Sequence, residues 1–133
     1  MSISKEDYLR TVYALDEKTD EKGIKAVDVA KELKVSKPSV SEMVKKLCDN
    51  GFLDAEPYSK IRLTKKGRKE AERVMHNHRV IEVFLKRILE YDIDKVHEEA
   101  HRLEHAFSQE SIERLDRFLE NPKVSPSGKE IPH

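Results

Sequence analysis

Apolar residues recur three and four positions apart along most of this chain, and that spacing predicts helices. Tyr8, Leu9, Val12, Tyr13 and Leu15 form the first series. Ser4 stands before it as an N-cap, with Asp7 three residues on as an imperfect capping box, and the helix is expected to end near Lys18. Residues 25–33 form a short second helix with Val27, Ala30 and Leu33 facing inward. After a turn at Lys34-Val35, Ser36 caps a third helix, and Pro38 sits in its first turn, where a missing N–H costs nothing. Val40, Met43, Val44 and Leu47 make its buried face, and Asn50-Gly51 closes it with a left-handed cap. The period then changes: residues 52–56 and 60–64 read as short strands, with a turn at Pro57-Tyr58-Ser59. Thr64 caps a long helix that runs to about Leu89, with Val74, Ile81, Phe84, Leu85 and Ile88 on its apolar face. Another helix covers residues 94–108, and Ser108 caps a last one carrying Ile112, Leu115, Phe118 and Leu119. Pro122, Pro126 and Gly128 end regular structure and leave a tail.

Two short helices joined by a tight turn, the second with a small polar N-terminal end, are the helix-turn-helix arrangement. A hairpin directly after them is a wing. The expected fold is therefore mainly α, with a winged helix-turn-helix over residues 1–66, a helical domain over 67–121 and a tail over 122–133. The second helix of the pair can enter a major groove. Its polar face carries Ser39, Ser41, Glu42, Lys45 and Lys46, while Lys60 and Arg62 on the wing would reach phosphate.

Net charge is zero, with 26 basic and 26 acidic residues, which is uninformative about nucleic acid until the charges are mapped. Between Lys31 and Arg73 there are twelve Lys or Arg against seven Asp or Glu; from Glu90 to Glu120 there are ten acidic residues against four basic. A segregated dipole of that kind serves DNA binding as well as a uniformly basic protein does. Aromatic residues are sparse and Trp is absent, so burial between two copies is expected to supplement a small core. Cys48, the single cysteine, excludes an internal disulfide and suits a reducing cytosol; it is read as packing rather than as a ligand. The charged N-terminus does not read as a signal peptide, and no apolar run approaches the roughly 20 residues of a membrane span.

The chemistry concentrates in residues 94–108. His97, His101, Glu104 and His105 share one helical stripe, beside an apolar stripe of Val96, Ala100, Leu103 and Phe107. Three imidazoles and a carboxylate next to a seam that must be buried point to a metal site inside a fold. His78 and Glu82 form a second pair at i,i+4 on the long helix. His101-Arg102-Leu103-Glu104-His105 also spells H-x-x-E-H, the inverted zinc-protease motif, in which two histidines hold zinc and the glutamate is general base. A zinc hydrolase is the lesser alternative, because the chain is short for a protease cleft and the motif leaves the winged helix unexplained. A winged-helix regulator switched by a non-metal ligand is the other.

Four segments together resemble the diphtheria-toxin-repressor family of metal-dependent transcriptional repressors, which includes iron and manganese regulators. They are residues 7–13 (Asp7-Tyr8-Leu9-Arg10-Thr11-Val12-Tyr13), 37–41 (Lys37-Pro38-Ser39-Val40-Ser41), 63–67 (Leu63-Thr64-Lys65-Lys66-Gly67) and 95–105, which contains the histidine stripe. The last is highly specific, whereas the Leu-Thr-x-x-Gly piece is common to many winged helices. The resemblance runs from Glu6 to Pro132. It implies a non-enzymatic, cytoplasmic homodimer that binds a double-stranded DNA operator and controls metal-homeostasis genes in response to Fe(II) or Mn(II). It implies up to two metal positions per subunit: Asp7, His101, Glu104 and His105 at site one, and His78, Glu82 and His97 at site two. DNA contacts are implied for Ser36, Lys37, Pro38, Ser39 and their neighbours. The family's optional SH3-like domain is expected to be absent.

This chain departs from both branches. The iron branch usually has Met at the position of Asp7 and Cys at that of His101. The manganese branch has Asp at the first but Glu at the positions of His101 and Arg10. Arg10 disfavours the close-paired binuclear arrangement of the manganese branch. The two-imidazole, two-carboxylate set at site one suits Mn(II) or Fe(II), with selectivity set by geometry and supply rather than by raw affinity. An ion held by Asp7 and the distant histidine stripe would fix the first helix, and with it the helix-turn-helix, relative to the dimer.

Overall fold

Helix α1 (Lys5–Glu17) begins at a complete capping box: the Ser4 hydroxyl accepts from the Asp7 N–H at 3.2 Å, and Asp7 Oδ2 accepts from the Ser4 N–H at 2.8 Å. Aspartate thus fills a position where Glu or Gln is the commoner partner. The computed structural model describes residues 4–19, 22–55 and 60–133, so the expected turn at Pro57-Tyr58-Ser59 lies outside the described residues. The chain divides into two compact units between Val74 and Met75, inside a helix.

In the first unit, Tyr8, Leu9 and Val12 of α1 pack with Val29 and Ala30 of α2 (Ala26–Leu33) and with Val40 and Leu47 of α3 (Lys37–Asp49). The inward face of α2 corrects the expectation: Val29 is fully buried and Val27 is 44% exposed. Both valines keep helical spacing to Leu33 or Ala30, so periodicity alone could not choose between them. Lys34 ends α2 in the left-handed region (φ 57°), and Ser36 caps α3 by accepting from the Ser39 N–H at 3.2 Å. Strands β1 (Leu53–Asp54) and β2 (Arg62–Leu63) pair antiparallel, with Leu53 opposite Leu63. Ile24, just before α2, exchanges two backbone hydrogen bonds with Ile61, at 2.7 and 2.8 Å, and extends the wing.

Helix α4 (Lys65–Arg87) starts where Thr64 Oγ1 accepts from the Gly67 N–H at 2.9 Å and donates to the Gly51 carbonyl at 2.6 Å. A Cβ on Gly67 would lie 1.8 Å from the Phe52 carbonyl oxygen, so the start of α4 presses on the chain just before the wing as only glycine allows.

The core of the second unit joins Ile81 and Leu85 of α4, Val96 and Ala100 of α5 (Ile93–Glu104) and Ile112 of α6 (Gln109–Phe118). Helix α5 stops earlier than expected because Ser108 must be extended (φ −75°, ψ 161°) to cap α6, accepting from the Ser111 N–H at 3.1 Å. Helix α4 likewise ends at Arg87, which leaves Ile88 exposed rather than on the buried face. Of the apolar residues expected on the last helix, Leu119 is buried and Phe118 is 68% exposed. Residues 122–133 do not behave as a loose tail. Val124 bridges to Glu130, the Ile131 N–H donates to the Lys123 carbonyl at 2.8 Å, and Ile131 is buried with Val80, Val83 and Leu119. Prolines and glycine end helices, but they leave room for a small hairpin that one isoleucine can anchor.

Candidate metal centre

Three ligand atoms converge in the second unit. His78 and Glu82 stand one turn apart on α4, with Nε2 3.7 Å from Oε2. His97 of α5 brings its Nδ1 to 3.1 Å from His78 Nε2 and 3.8 Å from Glu82 Oε2. All three atoms lie within 4.8 Å of one another. His78 and Glu82 are buried and His97 is exposed, so the cluster has a rigid floor and one face open to solvent.

The tautomer of His78 follows from its other nitrogen. Nδ1 lies 3.0 Å from Glu104 Oε2 on α5, and a carboxylate can only accept, so Nδ1 carries the proton and donates. In the neutral ring the Nε2 lone pair then faces Glu82 and His97. A histidine held by a carboxylate behind it and offering its far nitrogen forward is the usual arrangement of a metal ligand.

His101, Glu104 and His105 form a second group at the end of α5. The His101 and His105 Nε2 atoms are 3.5 Å apart, and His101 Nε2 is 4.0 Å from Glu104 Oε1. His105 is the C-cap, but its backbone remains helical (φ −77°, ψ −17°), so it continues the stripe. Glu104 therefore turns one oxygen toward His78 and the other toward His101.

Asp7 belongs to the first unit, where its side chain is 1% exposed. Its Oδ2 also accepts from the Ser4 hydroxyl at 3.0 Å, and its Oδ1 lies 3.5 Å from Arg10 Nη2. The guanidinium beside it opposes a second cation close by. Burial pushes the neighbouring Tyr8 phenol above its ordinary range, as an apolar setting does to a group that ionises to an anion.

The residues expected at DNA lie on the surface of the first unit. Ser36, Lys37, Pro38, Ser39, Ser41, Glu42 and Lys45 are all exposed along the start and outer face of α3. Arg62 is exposed on β2, and Lys60 is half-buried. Glu42 pairs with Lys46 at 3.9 Å, but both side chains are mostly exposed, so the pair holds neither residue firmly.

Sequence reasoning gave no role to His76, Asp116 or His133, which meet within the same 4.8 Å limit in the second unit. The available signal was arithmetic: of six histidines, the two predicted sites used four.

A winged helix-turn-helix in the same chain as a helical unit with imidazole and carboxylate clusters defines a metal-regulated DNA-binding protein. The comparisons with known proteins agree. The chain belongs to the iron-dependent repressors: the family's N-terminal DNA-binding domain matches residues 1–61, and its metal-binding and dimerisation domain matches residues 64–133. These are DNA-binding regulators rather than enzymes, which removes the zinc-hydrolase reading of residues 101–105. The chain is 42% identical over 123 residues to an HTH-type transcriptional regulator of Methanocaldococcus jannaschii, covering 92% of this chain and 98% of that one. It is 37% identical over 129 residues to the diphtheria toxin repressor of Corynebacterium diphtheriae, covering 96% of this chain but 55% of that one, so it spans about half of that longer repressor. Among solved structures, the manganese regulator SloR is similar at 47% identity with a TM-score of 0.86, over 100% of this chain and 61% of that chain. The metal-dependent regulator MtsR is similar at 39% identity with a TM-score of 0.90, over the same shares.

Proposed function

We propose that this protein is a homodimeric, cytoplasmic repressor that binds an operator when Fe(II) or Mn(II) is available and so controls metal-homeostasis genes. The observation that carries the metal-sensing part is the convergence of His78 Nε2, Glu82 Oε2 and His97 Nδ1, with the far side of the buried His78 ring held by Glu104. Nitrogen and oxygen donors without a thiolate suit Fe(II) or Mn(II) with water completing the shell. Bound there, a divalent ion would supply the positive charge that holds the three donors together.

Site one is assigned to Asp7, His101, Glu104 and His105. Support comes from the approach of the His101, His105 and Glu104 side chains on α5, and from a buried carboxylate at the start of α1. Because α1 shares its core with α2 and α3, whatever restrains Asp7 restrains the helix-turn-helix. In the dimer the two recognition helices would then stand about 34 Å apart, one DNA turn. Metal favours the DNA-binding arrangement only by as much as it binds that arrangement more tightly. Ser36, Lys37, Pro38, Ser39, Ser41, Glu42 and Lys45 are assigned to the groove, with Lys60 and Arg62 on phosphate. Ile88, Leu89 and Ile93, all exposed around the end of α4 and the start of α5, fit a surface covered by the second subunit. Among the described residues, no helix is long and apolar enough to cross a membrane.

The test is operator binding titrated with Mn(II), Fe(II), Co(II) and Zn(II), for the wild type and for His78→Ala and Asp7→Ala. Metal-dependent affinity in the wild type that falls in both variants supports the reading. Operator binding indifferent to every metal would instead favour a regulator switched by another ligand.

A further inference from the structure

The geometry points to a third divalent-cation site, formed by His76 of α4, Asp116 of α6 and His133 of the C-terminal hairpin segment. It does not depend on the two sites assigned above. His76 Nε2 lies 3.1 Å and His133 Nε2 3.6 Å from the same oxygen, Asp116 Oδ2. The two rings meet edge to face, with centroids 5.0 Å apart. Asp116 is 8% exposed, and its Oδ1 is buried with no hydrogen-bond partner among the described residues.

The hydrogen bonds behind the rings decide what this cluster needs. His133 Nδ1 is 3.0 Å from the Ile131 carbonyl oxygen, which can only accept, so Nδ1 donates. His76 Nδ1 is 3.1 Å from Asn77 Oδ1, and Asn77 Nδ2 donates to Gln109 Oε1 at 3.0 Å. In the neutral rings both Nε2 atoms therefore present lone pairs to a carboxylate. Three potential ligand atoms thus converge in a half-buried space beside a carboxylate oxygen that lacks a hydrogen-bond partner among the described residues, an arrangement that a cation shared by all three would satisfy. Two imidazoles and one carboxylate that leave other positions open are a common donor set for Fe(II), Zn(II) and related ions.

The three ligands come from parts of the second unit far apart in sequence. Arg79 already holds this segment by donating to the Glu130 carbonyl at 2.5 Å, and Ile131 anchors it by burial. A cation at His76, Asp116 and His133 would lock residues 122–133 onto α4 and α6.

The decisive measurement is Zn(II) bound per chain after equilibrium dialysis at neutral pH, by elemental analysis, for the wild type, His133→Ala, His78→Ala and the double variant. His133→Ala is expected to bind one equivalent fewer than the wild type, and the double variant one fewer than His78→Ala. The second comparison reads the new site whatever becomes of the first. Folding is checked by circular dichroism; His133 is partly exposed and its loss leaves Ile131 in place, whereas Asp116→Asn serves as a second variant that removes the shared oxygen charge. Nitrogen-15 spectra of the wild type should show the His76 and His133 Nε2 resonances moved by Zn(II). Equal zinc content in His133→Ala and the wild type, with both Nε2 atoms protonated and unmoved by Zn(II), would overturn the site and leave an imidazolium–carboxylate ion pair only.

Discussion

His78 and Glu104 meet between α4 and α5, the imidazole Nδ1 3.0 Å from the carboxylate Oε2, and both side chains are almost wholly buried. Glu104 belongs by assignment to one metal group and His78 to the other. A single carboxylate thus orients the ring of one site while offering its second oxygen to the other, so occupancy of either should be felt by its neighbour.

Glu104→Gln should reveal that link. An amide is a poorer acceptor than a carboxylate and can turn its NH₂ toward Nδ1, which would move the ring proton to the metal side. In an Asp7→Ala, His133→Ala background, where site one and the third cation site are both broken, Mn(II) affinity at the His78–Glu82–His97 site should fall about 10- to 100-fold by calorimetry. An unchanged affinity would show that Glu104 does not govern His78.

Asp7 has two duties, and the choice of replacement separates them. It closes the capping box of α1, so Asp7→Ala should lose about 1 kcal/mol of stability in denaturant titration. Asp7→Asn keeps an acceptor oxygen for the Ser4 N–H and should lose less. Both should lose the metal response of operator binding, a coupling of about 1–3 kcal/mol, read by fluorescence anisotropy with and without Mn(II). If Asp7→Asn represses as the wild type does, site one is misassigned.

Gly67→Ala places a methyl on the Phe52 carbonyl and should destabilise the first unit by about 3 kcal/mol or more, because backbone rather than a flexible side chain must give way. The measurement is the urea midpoint, followed by tyrosine fluorescence.

On DNA, Arg62→Ala should weaken binding to all sequences alike and lower the salt slope by about one, as loss of a phosphate contact does. Ser39→Ala and Glu42→Gln, on the face assigned to base edges, should change which operator variants are preferred. Anisotropy at several salt concentrations on a set of operator variants distinguishes the two behaviours.

Cys48 gives a pH-dependent signature. Burial pushes its thiol up, with Asp54 and Asp49 adding to the rise and a hydrogen bond from the Ala55 backbone opposing it. A folded value above the unfolded one, about 8.5, means that its contribution to stability is intact below that pH and is lost as pH rises through the folded value. The wild type should therefore decline more steeply above about pH 9 than Cys48→Ala. Alkylation of the native protein by iodoacetamide at pH 7 should be slow.

The helices were legible because their caps and periods agree: Ser4, Ser36, Thr64 and Ser108 all do what their positions in the sequence predict. Errors came where two local rules competed. Val27 and Val29 satisfy the same helical period, and only the position of α2 against α1 and α3 selects Val29. The helical pattern of residues 94–108 ran through His105, Ala106 and Phe107, but the cap at Ser108 required a break first. The histidine stripe and the His78–Glu82 pair could be read from local spacing. His76, Asp116 and His133 could not, since 40 residues separate the first two and the last sat in a segment judged to be unstructured.

Helix α5 ends at Glu104, and this has an effect on ions that ligand counting overlooks. The peptide dipoles of its twelve residues converge on a partly negative terminus, where His101, Glu104 and His105 are gathered. Positive charge is favoured there by about 0.3–1 kcal/mol before any side chain is counted. The same triad placed mid-helix would forgo that field. The serine that begins α6 thus influences cation binding from three residues away, by deciding where the preceding helix must stop.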